Sequence, residues 1–213
     1  MYLQTRISKN FIEKFSTDIC IENYDPIKKE YVHKSNEEYA LLTEIRRIPE
    51  EYIVASDSDV QNSFFAYALP KLDCSFCFDH ELDHVPFMMI VEIFRQIGVA
   101  TSHTHHGVPL KGYKNTMDEL EFDSMKFVEL DMPMLIICED KVLKQTSSVQ
   151  KRKIYYTLYQ NNDLCAFMST NVMVMNNDLY DRMRSKCRMD SIKHTDLSRF
   201  PITNIELLEC ELV

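Results

Sequence analysis

Glycine is nearly absent from the 213 residues: Gly98, Gly107 and Gly112 are the whole supply. That excludes Gly-rich phosphate cradles, since neither a GxGxxG turn nor a Walker loop can be written with them. Excess positive charge is lacking too. A formal charge of −9 argues against a nucleic-acid partner held by phosphate neutralisation. The seven cysteines are odd in number and scattered through apolar segments. Cys74 and Cys77 have CxxC spacing, but no second pair completes a zinc site and no thioredoxin-like unit surrounds them. An apolar signal core is missing from Met1–Asn10. These features lead to the expectation of reduced thiols and a cytoplasmic location. No apolar run is long enough to span a membrane, because the best one is interrupted by Glu92 and Arg95.

What is present is one dominant stretch, residues 78–101. It opens with a doubled pair, Asp79-His80 and Asp83-His84, followed by Pro86 at a favourable first helical position. Phe87, Met88, Met89, Ile90, Val91, Ile93, Phe94, Ile97 and Val99 then fall on nearly every side of a helix, which predicts burial all round. Glu92, Arg95 and Gln96 sit inside that apolar helix.

Around it the pattern is mostly extended. Leu41/Thr43/Ile45 alternate as in a strand, and Glu51–Ala55 reads as another. Val60–Leu69 reads as a short helix stopped by Pro70. Leu120–Val128, Leu135–Cys138, Lys153–Gln160 and Leu164–Met175 read as strands, with Asn161-Asn162-Asp163 as a hairpin turn. Leu179–Met189 reads as a surface helix; the tail from Ile202 to Val213 is undecided between strand and arm. The economical architecture is α+β, a single curved antiparallel sheet wrapped around one long buried helix at about residues 86–101. This is the hotdog layout. The expected organisation is an N-terminal extension packed on the domain (1–29), the hotdog domain (30–175), and a C-terminal helix and tail (176–213).

Asp79-His80-Glu81-Leu82-Asp83-His84-Val85-Pro86, then Met88, Glu92, Arg95 and Gln96, resemble the signature of the A-factor biosynthesis (AfsA-type) hotdog family, whose pattern reads roughly D-H-x-L-D-H-V-P-G-M-x-x-x-E-x-x-R-Q. Val32-His33-Lys34 and Gly107-Val108-Pro109-Leu110 fit as flanks, and the likeness covers about residues 30–175. The chain departs from the pattern at Phe87, where a Gly is usual, and it carries one hotdog unit where the namesake has two, so a homodimer is expected.

The resemblance implies a protein acting on acyl thioesters. Its first form is acyl transfer from acyl carrier protein or CoA to a small hydroxylated acceptor, as in γ-butyrolactone-type biosynthesis. Acyl thioesterase or hydroxyacyl dehydratase activity is the alternative, and a non-catalytic, dimeric acyl-carrier-binding module a further one. No cofactor, metal, nucleic acid or membrane is implied.

Glu92 is the candidate general acid or base, with burial expected to raise its pKa. Its structural alternative is a plain ion pair with Arg95. His84, and behind it His80, are candidate bases, with Asp79 and Asp83 fixing their tautomers; in the structural alternative Asp83 caps the helix and a His braces the loop. The Phe87 N–H would face the thioester oxygen. Gln96 would orient Glu92 or substrate, and Asp83 and Arg95 complete the binding set. His33, His103, His105 and His106 read as exposed or structural, and Lys151-Arg152-Lys153 as a small basic patch open to an acidic carrier.

Overall fold

The structure is a computed structural model that describes residues 6–17, 19–54, 60–69 and 81–194. The CxxC pair and the tail from Ile202 lie outside these. In chain order the elements are α1 (Lys9–Ser16), β1 (Arg46–Arg47), β2 (Asn62–Ala68), α2 (Phe87–Thr104), β3 (Tyr113–Ser124), β4 (Met134–Gln145), β5 (Val149–Gln160), β6 (Asp163–Asn176) and α3 (Asn177–His194). The six strands form one sheet in the order β1-β2-β4-β5-β6-β3, every neighbouring pair antiparallel. The chain divides into two compact units after Asn177, and the second holds all of α3 but its first residue.

The helix α2 is buried along a stripe rather than all round. Met89, Ile90, Ile93, Phe94, Ile97 and Ala100 share a core with Phe64, Ile136, Tyr156, Leu158 and Met168 of the sheet. Each of the large apolar side chains among them contributes about 1.5–3 kcal/mol when fully buried. The first turn departs from the expectation: Phe87 is 51% and Met88 53% exposed. Pro86 stands one residue earlier than expected, at the N-cap, where its carbonyl accepts from Met89 and Ile90. At mid-helix Gly98 lies so close to β5 that an added Cβ would meet the Tyr156 hydroxyl at 2.2 Å.

Residues 62–68 are a strand, not the helix expected for Val60–Leu69. Phe64 and Ala66 face α2, while Phe65 and Tyr67 face a second core with Phe11, Leu135 and Ile137, beneath α1. With both faces covered, the apolar run loses its alternation, and periodicity alone cannot separate strand from helix. At the strand expected for Glu51–Ala55 a 3₁₀ turn spans Glu50–Tyr52, and Ala55 lies outside the described residues. The Leu41–Ile45 stretch makes only isolated bridges before β1. The β5–β6 hairpin turns where expected: Asn161 (φ 45°) and Asn162 (φ 69°) take the two left-handed positions that Asn tolerates best.

Arg152 does not belong to a surface patch. It is fully buried, pointing from β5 into the space under α2. Its guanidinium donates to Asp140 Oδ2 (2.8 Å), Thr101 Oγ1 (3.3 Å), the Gly98 carbonyl (3.0 Å) and Ser102 Oγ. Asp140 also accepts from Asn62 (2.8 Å) and pairs with His106 Nε2 (2.6 Å). Burial pushes the Asp140 carboxyl up, but His106, Arg152 and Asn62 more than offset this and hold it below its ordinary value.

Removing one member of such a pair strands the other. Arg152→Met is therefore expected to cost about 3–5 kcal/mol in urea unfolding. Gly98→Ala should cost about 1–3 kcal/mol by overpacking, and much of that loss should return in the Gly98→Ala/Tyr156→Phe double variant, which removes the clashing hydroxyl.

Candidate functional site at the start of α2

Two separate groups of the expected site residues emerge. The first lies just before α2. His84 Nδ1 is 2.6 Å from Asp83 Oδ1. An ionised carboxylate only accepts, so Nδ1 carries a proton, and in the neutral ring Nε2 is left with its lone pair. The same bond holds the Asp83 carboxyl below the ordinary carboxylate range. Asp83 therefore orients the imidazole and does not cap the helix. The His84 backbone bridges to Glu129, and the Val85 N–H donates to the Val128 carbonyl at 2.8 Å, tying this entrance to the β3–β4 connection. Gln160 clamps that connection from β5, accepting from the Glu129 N–H and donating to the Glu129 and Met132 carbonyls.

A cavity of about 200 Å³ opens here, lined by Asp83, His84, Phe127 and Glu129. An adjoining one of about 350 Å³ shares Phe127 and Glu129 and reaches Gln160 and Cys165. The Phe87 ring stands edge-on against Phe122, centroids 4.6 Å apart. Among the described residues nothing accepts from the N–H groups of Phe87 and Met88, the two leading donors at the positive end of α2. His80 lies outside the described residues.

The second group surrounds Glu92. Arg95 grips the carboxylate as a fork, Nε to Oε2 at 2.7 Å and Nη2 to Oε1 at 2.8 Å. Gln96 Nε2 (2.9 Å) and Lys34 Nζ (2.9 Å) also reach Oε1. Burial alone would raise the Glu92 carboxyl, but the Arg95, Gln96 and Lys34 donors bring it down to about 2. This corrects the expectation of a raised pKa. A carboxylate saturated by charged donors is a fixed anion and a weak proton acceptor.

Gln96 is fully buried and spends its amide internally, accepting from the Leu41 N–H (2.9 Å) and donating to the Tyr39 carbonyl (2.8 Å) as well as to Glu92. It orients Glu92. Arg95 completes the anchoring with a bond to the Val32 carbonyl at 3.0 Å. Among the described residues no hydrogen bond or ion pair joins this group to the His84–Asp83 pair.

The late histidines are not simply exposed loop residues. His106 is nearly buried against Asp140. His105 packs on the Phe64 ring at 4.4 Å, and His103 belongs to the last turn of α2.

A profile of the A-factor biosynthesis hotdog domain matches residues 20–176. The chain belongs to this family. The six-stranded antiparallel sheet folded against α2 is its hotdog fold.

Solved structures match the chain at low identity. A Lactococcus lactis protein assigned provisionally as a thioesterase is 10% identical, with 64% of this chain and 94% of that chain covered and a TM-score of 0.43. A hot-dog-like protein from Thermanaerovibrio acidaminovorans is also 10% identical, covering 60% and 90%, with a TM-score of 0.43. No curated protein matches in sequence. Within the hotdog domain, the signature residues thus fall into two functions: Asp83, His84 and Pro86 build the helix entrance, while Glu92, Arg95 and Gln96 fasten the segment around Lys34 to the helix.

That division predicts a pH signature. The Glu92 carboxyl lies at about 2 in the fold against an ordinary 4.5. Its contribution is complete above pH 4.5 and is lost as pH falls toward 2. With allowance for solvent screening of a partly exposed group, Glu92→Gln should cost about 2 kcal/mol at pH 7. Urea midpoints from pH 7 to 3 should show the wild type and variant converging on acidification.

Proposed function

We propose that this hotdog protein acts on acyl thioesters, transferring an acyl group from acyl carrier protein or CoA to a small hydroxylated acceptor. The observation that carries the reading is the His84 imidazole, held through Nδ1 by Asp83 and lining a cavity just ahead of the first turn of α2.

In this reading Nε2 takes the proton of the acceptor hydroxyl as its oxygen attacks the thioester carbon. The Phe87 N–H faces the developing oxyanion, helped by the helix dipole. The C–O bond forms, the C–S bond breaks, and the leaving thiolate recovers the proton from His84. Asp83 fixes the tautomer. Glu92, held ionised by Arg95, Lys34 and Gln96, supplies structure and fixed charge rather than proton transfer.

Hydrolysis is the second reading. The His84 side chain is 38% exposed, so water has access to the same base. Assembly as a homodimer belongs to the proposal, since β3 ends the sheet with one side unpaired among the described residues.

The test is mass spectrometry of the protein incubated with a β-ketoacyl thioester and a 3-hydroxyacyl thioester, each with and without dihydroxyacetone phosphate. Acceptor-dependent ester formation supports transfer; free acid in both arms supports hydrolysis. His84→Asn should lower turnover by about 10²–10⁴-fold, while Glu92→Gln retains turnover at temperatures where it stays folded. Loss of activity in a fully stable Glu92→Gln protein, with activity kept in His84→Asn, would overturn the assignment.

A further inference from the structure

His33 and His103 meet Nε2 to Nε2 at 2.8 Å, ring centroids 4.9 Å apart. One neighbour fixes their proton arrangement. His103 Nδ1 lies 2.9 Å from the Val108 carbonyl, so it carries a hydrogen and donates. In the neutral ring His103 Nε2 is then an acceptor, and the His33 Nε2–H supplies the proton. His33 itself is in the left-handed region (φ 56°), closing the short turn over Lys29–Val32. A non-glycine residue there needs support from its surroundings.

From His33 to Glu38 the chain runs as a largely exposed arc. Both of its ends are pinned to α2, at the Val32 carbonyl by Arg95 and at the Tyr39 carbonyl by Gln96. Between those pins, Lys34 reaches Glu92 Oε1 and His33 reaches His103. The arc thus reaches over the Glu92 carboxylate through Lys34.

We propose that residues 33–38 are a proton-sensitive cover over Glu92, latched to α2 by the His33–His103 hydrogen bond. Two protonated rings leave no lone pair between the Nε2 atoms, and the latch then sets N–H against N–H. The surroundings also resist charge on His33: Arg95 and His103 face it from α2, Lys114 from β3, while the arc itself carries Lys34, Glu37 and Glu38. Partial shielding of the ring against α2 first, then His103, Arg95 and Lys114, hold His33 down to about 4.

Once lifted, His33 returns to the ordinary 6.5. The latch is therefore fully effective above pH 6.5 and is lost as pH falls toward 4. Lifting withdraws Lys34 from Glu92 and opens that side of the Glu92–Arg95 pair to solutes. The device is independent of which reaction the His84 cavity performs.

Hydrogen exchange of the His33 and Lys34 amides, which bond to the Glu30 and Lys29 carbonyls, reports the lifting. After correction for intrinsic rates, the wild-type opening constant should rise about 25-fold from pH 7.5 to 5. His33→Gln, whose amide still donates to His103 but does not titrate, should change less than about threefold over the same range. His103→Phe removes the acceptor and should be open already at pH 7.5. Unchanged exchange in β4 in both variants shows that the core is intact. Should a variant fail to fold, the wild-type His33 ring resonances decide: titration near 4 supports the latch and titration near 6.5 overturns it. A flat wild-type profile, or a wild-type slope kept in His33→Gln, also overturns it.

Discussion

The Arg152–Asp140 pair is the constraint on which the arrangement depends. A sheet can hold an apolar helix against one face in many small rotations and shifts, because dispersion is non-directional. The guanidinium removes that freedom. It fixes the Gly98 carbonyl, Thr101 and Ser102 of α2 to Asp140 of β4 at defined distances. The Tyr156 hydroxyl leaves room only for a glycine at position 98. A buried pair of this kind adds little net stability over a well-packed apolar substitute, since desolvation consumes most of the Coulomb gain. What it adds here is register: the helix sits at one height on the sheet.

With the rear half of α2 fixed, its first two residues stand exposed while Met89 and Ile90 already enter the core. Phe87 and Met88 face solvent, their N–H groups open, and the chain entering the helix is braced by Glu129 and Gln160. Polar groups divide accordingly. Those gathered around Arg152 are buried and partnered, while its own Nε–H has no partner among the described residues. Those at the front include His84, held through Nδ1 by Asp83 and partly open to solvent. The Glu92 cluster lies between, neither fully buried nor free, and ties the surface arc to the helix.

The fold was legible because its main signals are local. Pro86 followed by the apolar run marks α2, and Asn161-Asn162 marks the β5–β6 turn. Strand β2 was misleading for a physical reason: burial on both faces erases the period of two. Arg152 was misread although the signal was present. In β5 the even positions Ile154, Tyr156 and Leu158 face α2, and Arg152 continues that row. A strict period-of-two reading places its charge inside; treating Lys151-Arg152-Lys153 as a block hides it. The partner Asp140 has no such local signal, because the pairing depends on a sheet register that only the folded chain defines.

Glu92 shows the same limit at the candidate site. Its position in an apolar helix correctly marks it as a carboxylate that burial would disfavour, and Arg95 and Gln96 are neighbours by helical spacing. Lys34 is not, since it comes from 58 residues earlier in sequence and its approach is set by the turns after Lys29. With three cationic or amide donors the balance reverses, and the carboxyl falls to about 2 instead of rising. The sign of a buried group's shift is thus decided by its count of donors more than by its depth. By the same reasoning the departure at Phe87 weighs less than the sequence suggests. The ring turns onto Phe122, and the backbone N–H, which every residue but proline carries, stays open at the head of the helix.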